Sequence, residues 1–203
     1  MRARDNPFAV QRVLEVRYRL SGTTWEALME RLVALRFRAA LVGPHGSGKT
    51  TLLEDLEPRL QRQGFRLRKL TLHEGDRRLS ASQRRDLFQD LSPSEILLLD
   101  GAEQLGRFAW LEARTRSRAA GGLVVTSHRP GLLPTLCECR TTPELLDGIL
   151  RELLEDAPSP PADELFRRHG GNLRDALREM YDLYAEATSS AAARTGSPSP
   201  AGR

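Results

Sequence analysis

The sequence predicts an α/β protein with a parallel five-stranded sheet between two layers of helices, followed by a small C-terminal helical lid. Short apolar runs alternate with amphipathic segments through the middle of the chain, an order typical of parallel sheets with helices on both faces. Residues 96–99 are continuously apolar, as expected of a strand buried on both faces. Three helical patterns follow between residues 143 and 185, and the last two of them predict the lid.

The first half of the chain begins with a helix and then alternates strands with helices. Its helices are predicted from leucines at helical spacing, and its second strand from alternating apolar and basic side chains. The first strand runs directly into a glycine-rich loop. The elements are a helix over 24–35, a strand over 36–42, a helix over 51–63, a strand over 65–72 and a helix over 82–91.

The second half completes the sheet and adds the lid. Its elements are a strand over 96–99, a helix over 103–118, strands over 122–126 and 135–140, and helices over 143–154, 162–169 and 173–185. Prolines at 158–161 mark a hinge before the last two helices. The last stretch is rich in Ala, Ser, Pro and Gly and predicts disorder. We therefore expect an N-terminal arm over 1–23, a core over 24–156, a lid over 157–187 and a disordered tail over 188–203.

The glycine-rich loop fits the phosphate-binding pattern of P-loop nucleoside triphosphatases at every fixed position. Its residues are Gly43, Pro44, His45, Gly46, Ser47, Gly48, Lys49 and Thr50, with Thr51 directly behind them. Glycines let successive backbone N–H groups turn toward anionic oxygens, and the following helix directs its positive end at them. Lys49 can reach the β- and γ-phosphates, and the Thr50 hydroxyl can ligate magnesium. ATP and Mg²⁺ are therefore the expected ligands, with His45 and Ser47 at free positions of the pattern.

An acidic residue follows the most apolar strand. Asp100 ends the run at 96–99, and ligands of such sheets lie beyond the carboxyl ends of the strands. We expect Asp100 to hold the magnesium together with Thr50. Capping of the following helix is the simpler alternative, and both roles are compatible.

The phosphate loop, the acidic strand and the order of the segments resemble the additional-strand P-loop ATPases that include the AAA+ and STAND families. The resemblance covers roughly residues 24–185 and implies an extra strand between the phosphate-loop strand and the acidic strand. The chain departs from the AAA+ pattern at Gly101, where a catalytic glutamate is usual. The next acid is Glu103, a spacing similar to that of STAND proteins. The resemblance implies that Glu103 is the base that activates water, although it could be only a residue of a first helical turn.

The same resemblance implies sensor residues. Thr126 or Ser127, at the end of the fourth strand, would orient the attacking water, or both could be only polar residues at a strand end. Arg129 could contact the γ-phosphate or reach a neighbouring subunit as an arginine finger, or be a solvated loop residue. Residues 170–174 resemble the start of the sensor-2 helix of an AAA+ lid, where Arg174 would sense the nucleotide, or it could face solvent. We take Lys49, Glu103 and these four residues as the catalytic candidates.

Composition narrows the location and the partners. No stretch approaches the roughly 20 apolar residues of a membrane span, and the N-terminus does not resemble a secretory signal, so we expect a cytoplasmic protein without membrane contact. The basic excess lies at residues 1–19 and 188–203, which gives nucleic-acid binding no support. Any effector is expected to be a protein partner or a second copy. Cys137 and Cys139 are predicted core residues rather than a disulfide or a zinc site.

The function expected first is an ATP-hydrolysing enzyme that drives or gates a protein interaction. Gly101 motivates an alternative, a switch that binds the nucleotide and hydrolyses it slowly or not at all. A small-molecule kinase is a third reading because kinases share the phosphate loop. A guanine-specific GTPase is disfavoured because no Asn-Lys-x-Asp motif is present, and an ABC ATPase because no signature motif follows the loop.

Overall fold

A computed structural model describes residues 6–9, 12, 13, 16, 18–20, 22–154 and 159–195. The chain divides into two units. One comprises residues 17–140, and the other combines residues 1–16 with 141–203. Among the described residues, no helix has the length and apolar character needed to cross a membrane.

The unit of residues 17–140 contains the sheet. Its helices are α1 (Trp25–Ala34), α2 (Lys49–Arg62), α3 (Ala81–Phe88) and α4 (Arg107–Arg116), and its strands are β1 (Arg38–Val42), β2 (Arg66–Thr71), β3 (Glu95–Asp100), β4 (Gly122–Ser127) and β5 (Thr135–Glu138). All pairings are parallel, in the order β2-β3-β4-β1-β5. β4 therefore lies between β1, which precedes the phosphate loop, and β3, which ends in the acid.

Helices cover both faces of the sheet. On one face, alternate residues of the central strands, such as Leu97 and Leu99, pack with side chains of α3 and α4. On the other, their neighbours Ile96 and Leu98 pack with leucines of α1 and α2. β3 and β4 are buried along their whole length. Because the period of a strand is two residues, two apolar faces require the continuous apolar runs that the sequence contains. The three-layer prediction is confirmed.

The predicted helix over 103–118 is wrong at its start. A short 3₁₀ turn covers Ala102–Gln104, the chain then extends at Leu105, and α4 begins only at Arg107. The reason is a competing hydrogen bond, in which Gly106 N–H donates to the Arg77 carbonyl at 3.0 Å. Glu103 consequently lies on the turn that follows β3 and not in an α-helix.

The second unit consists of helices α5 (Pro143–Leu154), α6 (Ala162–Arg168) and α7 (Leu173–Thr195). Leucines of α5 are buried with Leu165, Leu173 and Met180, and Phe8 lies in the same cluster. The apolar stripe of α5, which the sequence analysis assigns to a core ending at residue 156, packs with the lid helices. The unit boundary falls at residue 140.

Both ends of the chain differ from the sequence prediction. Tyr18 and Leu20, assigned to the arm, pack in the cluster of α1 and α2, and Tyr18 N–H donates to Asp55 Oδ2 at 2.8 Å. α7 continues to Thr195, so the predicted tail is helical over 188–195. The remaining part of that prediction, 196–203, lies outside the described residues.

Candidate functional site

The loop of residues 43–48 connects β1 to the N-terminus of α2. Gly48 caps this helix with φ +82°, a left-handed conformation that glycine adopts without strain. No described side chain caps the helix, so its first N–H groups point into the loop without a capping oxygen. Such a helix start attracts anions, because the backbone donors and the helix dipole act together.

Lys49 lies inside the curl of the loop. Its Nζ donates to the carbonyl oxygens of Gly43 at 2.8 Å and Pro44 at 2.7 Å, and the residue is 9% exposed. A Cβ at position 43 would clash with the backbone carbonyl oxygen of Cys139 and meet Ser47 Oγ at 2.6 Å, so glycine is required there. Ser47 Oγ is buried and has no hydrogen-bond partner among the described residues. An unsatisfied buried hydroxyl beside an ammonium group suits an anionic oxygen as ligand.

Asp100 joins three elements at the carboxyl edge of the sheet. Thr50 Oγ1 donates to Asp100 Oδ2 at 2.9 Å, and Thr126 Oγ1 donates to Asp100 Oδ1 at 2.6 Å. The Gly101 N–H completes the network by donating to Thr126 Oγ1 at 2.7 Å. The carboxylate and the Thr50 hydroxyl are hard oxygen donors of the type that magnesium binds. The residues present therefore fit a magnesium ion at this position.

Thr126 has a different setting from the one expected. It is 1% exposed, and its hydroxyl proton is committed to Asp100. Ser127 Oγ donates to the Arg129 carbonyl at 2.8 Å. In this structure both predicted sensor hydroxyls therefore donate within the protein. The geometry of Thr126 is that of a group that holds Asp100 in place.

Gly101 is fixed by its surroundings. Its φ is +83°, and a Cβ there would approach the Leu72 carbonyl oxygen to 2.7 Å. Any larger residue would need both a strained left-handed backbone and a displacement of the end of β2. The local fold therefore favours glycine at the position where AAA+ proteins usually have a glutamate.

Glu103 contacts a residue that the sequence analysis did not single out. His128 Nε2 lies 3.2 Å from Glu103 Oε1, and the His128 ring lies 3.8 Å from the ring of His45, between centroids. Glu103 Oε2 is buried and has no hydrogen-bond partner among the described residues. The position of His128, directly behind Ser127 at the end of β4, was the available signal, because strand ends of this sheet surround the site.

The protonation of His128 follows from its neighbours. Burial lowers the pKa of His128 below its ordinary 6.5, and the charges of Lys49 and His45 lower it further, against the opposing effect of Glu103. The imidazole is therefore neutral at neutral pH. The neutral ring can present an N–H group at Nε2 to Glu103 Oε1, which lies 3.2 Å away.

A cavity of about 260 Å³ opens beside Glu103. Glu103, Ser127 and Arg129 line it together with apolar residues that include Trp110 and Leu132. Arg129 is exposed at its rim, and its N–H and carbonyl both bond to Ser127. Arg129 thus lies near the predicted base.

Tyr18 is a second residue that sequence reasoning missed. A side chain at Gly48 would meet the Tyr18 ring at 3.0 Å, so the ring lies against the phosphate loop. Burial raises the pKa of the Tyr18 hydroxyl, and Cys139 adds to the effect. Cys137 and Cys139 are free thiols within the α1–α2 cluster, as predicted.

The candidates of the sequence analysis fall into two groups. The unit of residues 17–140 contains the phosphate loop, Thr51, Asp100, Glu103, Thr126, Ser127 and Arg129. Arg174 belongs to the other unit, where its side chain is exposed and its N–H donates to Asn172 Oδ1 at 3.1 Å. Its predicted role as a nucleotide sensor stays a prediction.

Some known proteins resemble this chain in structure. No protein-family model matches the chain, and no curated protein does. RuvB of Thermotoga maritima, a Holliday junction branch migration motor, matches with a TM-score of 0.53 at 19% identity, over 83% of this chain and 64% of that one. A structure of a mutant form of the same RuvB matches with a TM-score of 0.54 at 20% identity, over 77% of this chain and 61% of that one.

These matches concern the fold. RuvB is an AAA+ P-loop ATPase, and the five-stranded parallel sheet with its helices is the P-loop nucleoside-triphosphatase fold. The chain spans less than two thirds of the length of these RuvB structures, 61% to 64%.

Proposed function

We propose that this chain, which has the fold of AAA+ P-loop ATPases, binds ATP with magnesium and hydrolyses it. The observation that carries the proposal is the contact between Thr50 of α2 and Asp100 of β3, at 2.9 Å. This contact brings the phosphate loop and the acidic strand end together at the edge of the sheet where ligands bind. The position of β4 between β1 and β3 supports the additional-strand type that includes AAA+ and STAND proteins.

Residues 43–51 have the binding role in this proposal. The N–H groups at the start of α2 hydrogen-bond the phosphate oxygens, and Lys49 moves from the carbonyls of the loop to the β- and γ-phosphates. Thr50 and Asp100 would hold the magnesium ion, which would neutralise charge on the phosphate oxygens. Thr126 keeps Asp100 oriented through its hydroxyl.

Glu103 is the proposed base. Its buried and unpartnered Oε2 can accept a proton from water, which is what a general base must do. Ser127, Arg129 and Arg174 remain candidates for orienting the water and for contacts to the γ-phosphate. Arg129 acts on the same subunit or on a neighbour.

We further propose that turnover drives or gates an interaction with a protein partner or a second copy. The RuvB structures are those of a Holliday junction branch migration motor, and that activity belongs to RuvB. The distribution of charge along the chain gives no support for nucleic-acid binding.

Gly101 favours a second candidate function, a nucleotide-dependent switch with slow or absent hydrolysis. The residue next to Asp100 carries no carboxylate, and the crowding against Leu72 prevents one from being introduced without strain. In this reading Glu103 does not act on water, and the bound nucleotide itself is the signal.

Steady-state ATP hydrolysis with magnesium over a wide range of protein concentration distinguishes the two candidates. We expect turnover that is lost in Lys49→Ala and in Glu103→Gln, while Glu103→Gln still binds ATP. Turnover per molecule that rises with concentration would indicate assembly and a role of Arg129 across subunits. Clear ATP binding without turnover would support the switch, and full turnover in Glu103→Gln would remove Glu103 as the base.

A further inference from the structure

We infer that His128 is a positioning residue that holds Glu103 in the orientation needed to activate water. This inference rests on the proposed function, because it assigns a partner to the proposed base. It concerns a residue outside the phosphate-loop and acidic-strand motifs.

Glu103 needs external support because of where it lies. The 3₁₀ turn Ala102–Gln104 is only three residues long and follows a glycine in the left-handed conformation. Hydrogen-bond geometry is poorer in 3₁₀ turns than in α-helices, and such turns are short. The contact of Glu103 Oε1 with His128 Nε2 at 3.2 Å supplies a fixed point from the end of β4, the neighbouring strand.

The two oxygens of the Glu103 carboxylate have different surroundings. Oε1 lies 3.2 Å from His128 Nε2, and Oε2 is buried with no partner among the described residues. An unsatisfied buried carboxylate oxygen is costly unless a ligand completes it. A water molecule at Oε2 would satisfy it and would be held at the base.

The proton balance of the step is simple. Oε2 of Glu103 takes one proton as the water oxygen bonds to the γ-phosphorus, and the bond from that phosphorus to the β–γ bridging oxygen breaks. The products are ADP and inorganic phosphate. His128 keeps its Nε2 proton throughout and so acts through Glu103, not on the substrate.

The surroundings of His128 favour this neutral donor. The charged and titratable groups that face it are Glu103 on the 3₁₀ turn, Lys49 on α2 and His45 on the phosphate loop. A protonated imidazole would form an ion pair with Glu103 and weaken it as a base. His45, in ring contact with His128, supports the imidazole from the loop.

Kinetics of His128→Ala and His128→Gln test the inference. We infer that the 3.2 Å contact tightens to a hydrogen bond when ATP and water are bound, so His128→Ala should lower kcat about 10- to 100-fold and leave the KM for ATP within about twofold. His128→Gln should recover most of kcat, because its amide can donate to Glu103. His73→Ala, an exposed histidine of the same unit, is the matched control and should behave as the unaltered protein. Thermal melting verifies that each variant folds.

The double variant Glu103→Gln with His128→Ala separates this inference from the proposed function. If His128 acts through Glu103, the second substitution should add less than about twofold to the loss caused by the first. Turnover that depends on Glu103 but is unchanged in His128→Ala would overturn only the positioning role. Losses that multiply in the double variant, or a His128→Gln as inactive as His128→Ala, would also overturn it. Absence of turnover in the unaltered protein would overturn both.

Discussion

The hydroxyl of Thr126 links β3 and β4 at the site, and Thr126→Val removes it with little change of shape. Two bonds are lost, the 2.6 Å bond to the Asp100 carboxylate and the 2.7 Å bond from the Gly101 N–H. A hydrogen bond to a charged group contributes about 1.5–3 kcal/mol and a neutral one about 1 kcal/mol. Thr126 is 1% exposed, so water cannot replace the hydroxyl. We expect the free energy of unfolding to fall by about 2.5–4 kcal/mol.

Thermal unfolding without nucleotide measures this loss. For a chain of this size each kcal/mol corresponds to roughly 2–4 °C, so the melting temperature should fall by about 5–15 °C. Thr126→Ser, which keeps the hydroxyl, should recover most of the stability. Thr115→Val, the same substitution at an exposed position of α4, should change stability by no more than about 0.5 kcal/mol. A melting temperature of Thr126→Val within about 2 °C of the unaltered protein would refute the network.

Three other perturbations have defined outcomes. Gly101→Ala should lower the free energy of unfolding by about 2 kcal/mol or more in urea, because the residue has φ +83° and faces the Leu72 carbonyl; unchanged stability would contradict the crowding. Turnover should be constant at neutral pH and fall only below pH 6.5, where His128 gains a proton, because its surroundings lower the pKa of His128 from 6.5. A loss of turnover in acid that persists in His128→Gln would be assigned to another group. At neutral pH iodoacetamide should modify Cys137 before Cys139, because the hydrogen bond from Cys139 lowers the pKa of Cys137 to about 7. Tandem mass spectrometry measures the labelling of each cysteine, and equal labelling would contradict this expectation.

The sheet could be predicted because the burial of a strand determines which residue types it contains. A strand covered on both faces must be apolar at nearly every position, as β3 and β4 are, and the helices between the strands carry leucines at helical spacing. The phosphate loop and Asp100 could be predicted because their chemistry requires particular residues at fixed spacing.

Other features depend on contacts between segments that are distant in the chain. The start of α4 was mispredicted because Arg77 captures the Gly106 N–H, which no local pattern reveals. The assignment of α5 to the second unit depends on which cluster its leucines join. His128 was missed for the same reason, since its role follows from the proximity of Glu103 and His45, and neither is its neighbour in the sequence.

We propose that residues 43–51 and Asp100 form one site for ATP with magnesium. Calorimetric titration with ATP, with and without Mg²⁺, tests this site on the unaltered protein, Lys49→Ala and Asp100→Asn. We predict that the unaltered protein binds ATP, that magnesium strengthens this binding in it but not in Asp100→Asn, and that Lys49→Ala loses most of the affinity. Affinity that is unchanged in Lys49→Ala, or no binding by the folded unaltered protein, would contradict the claim.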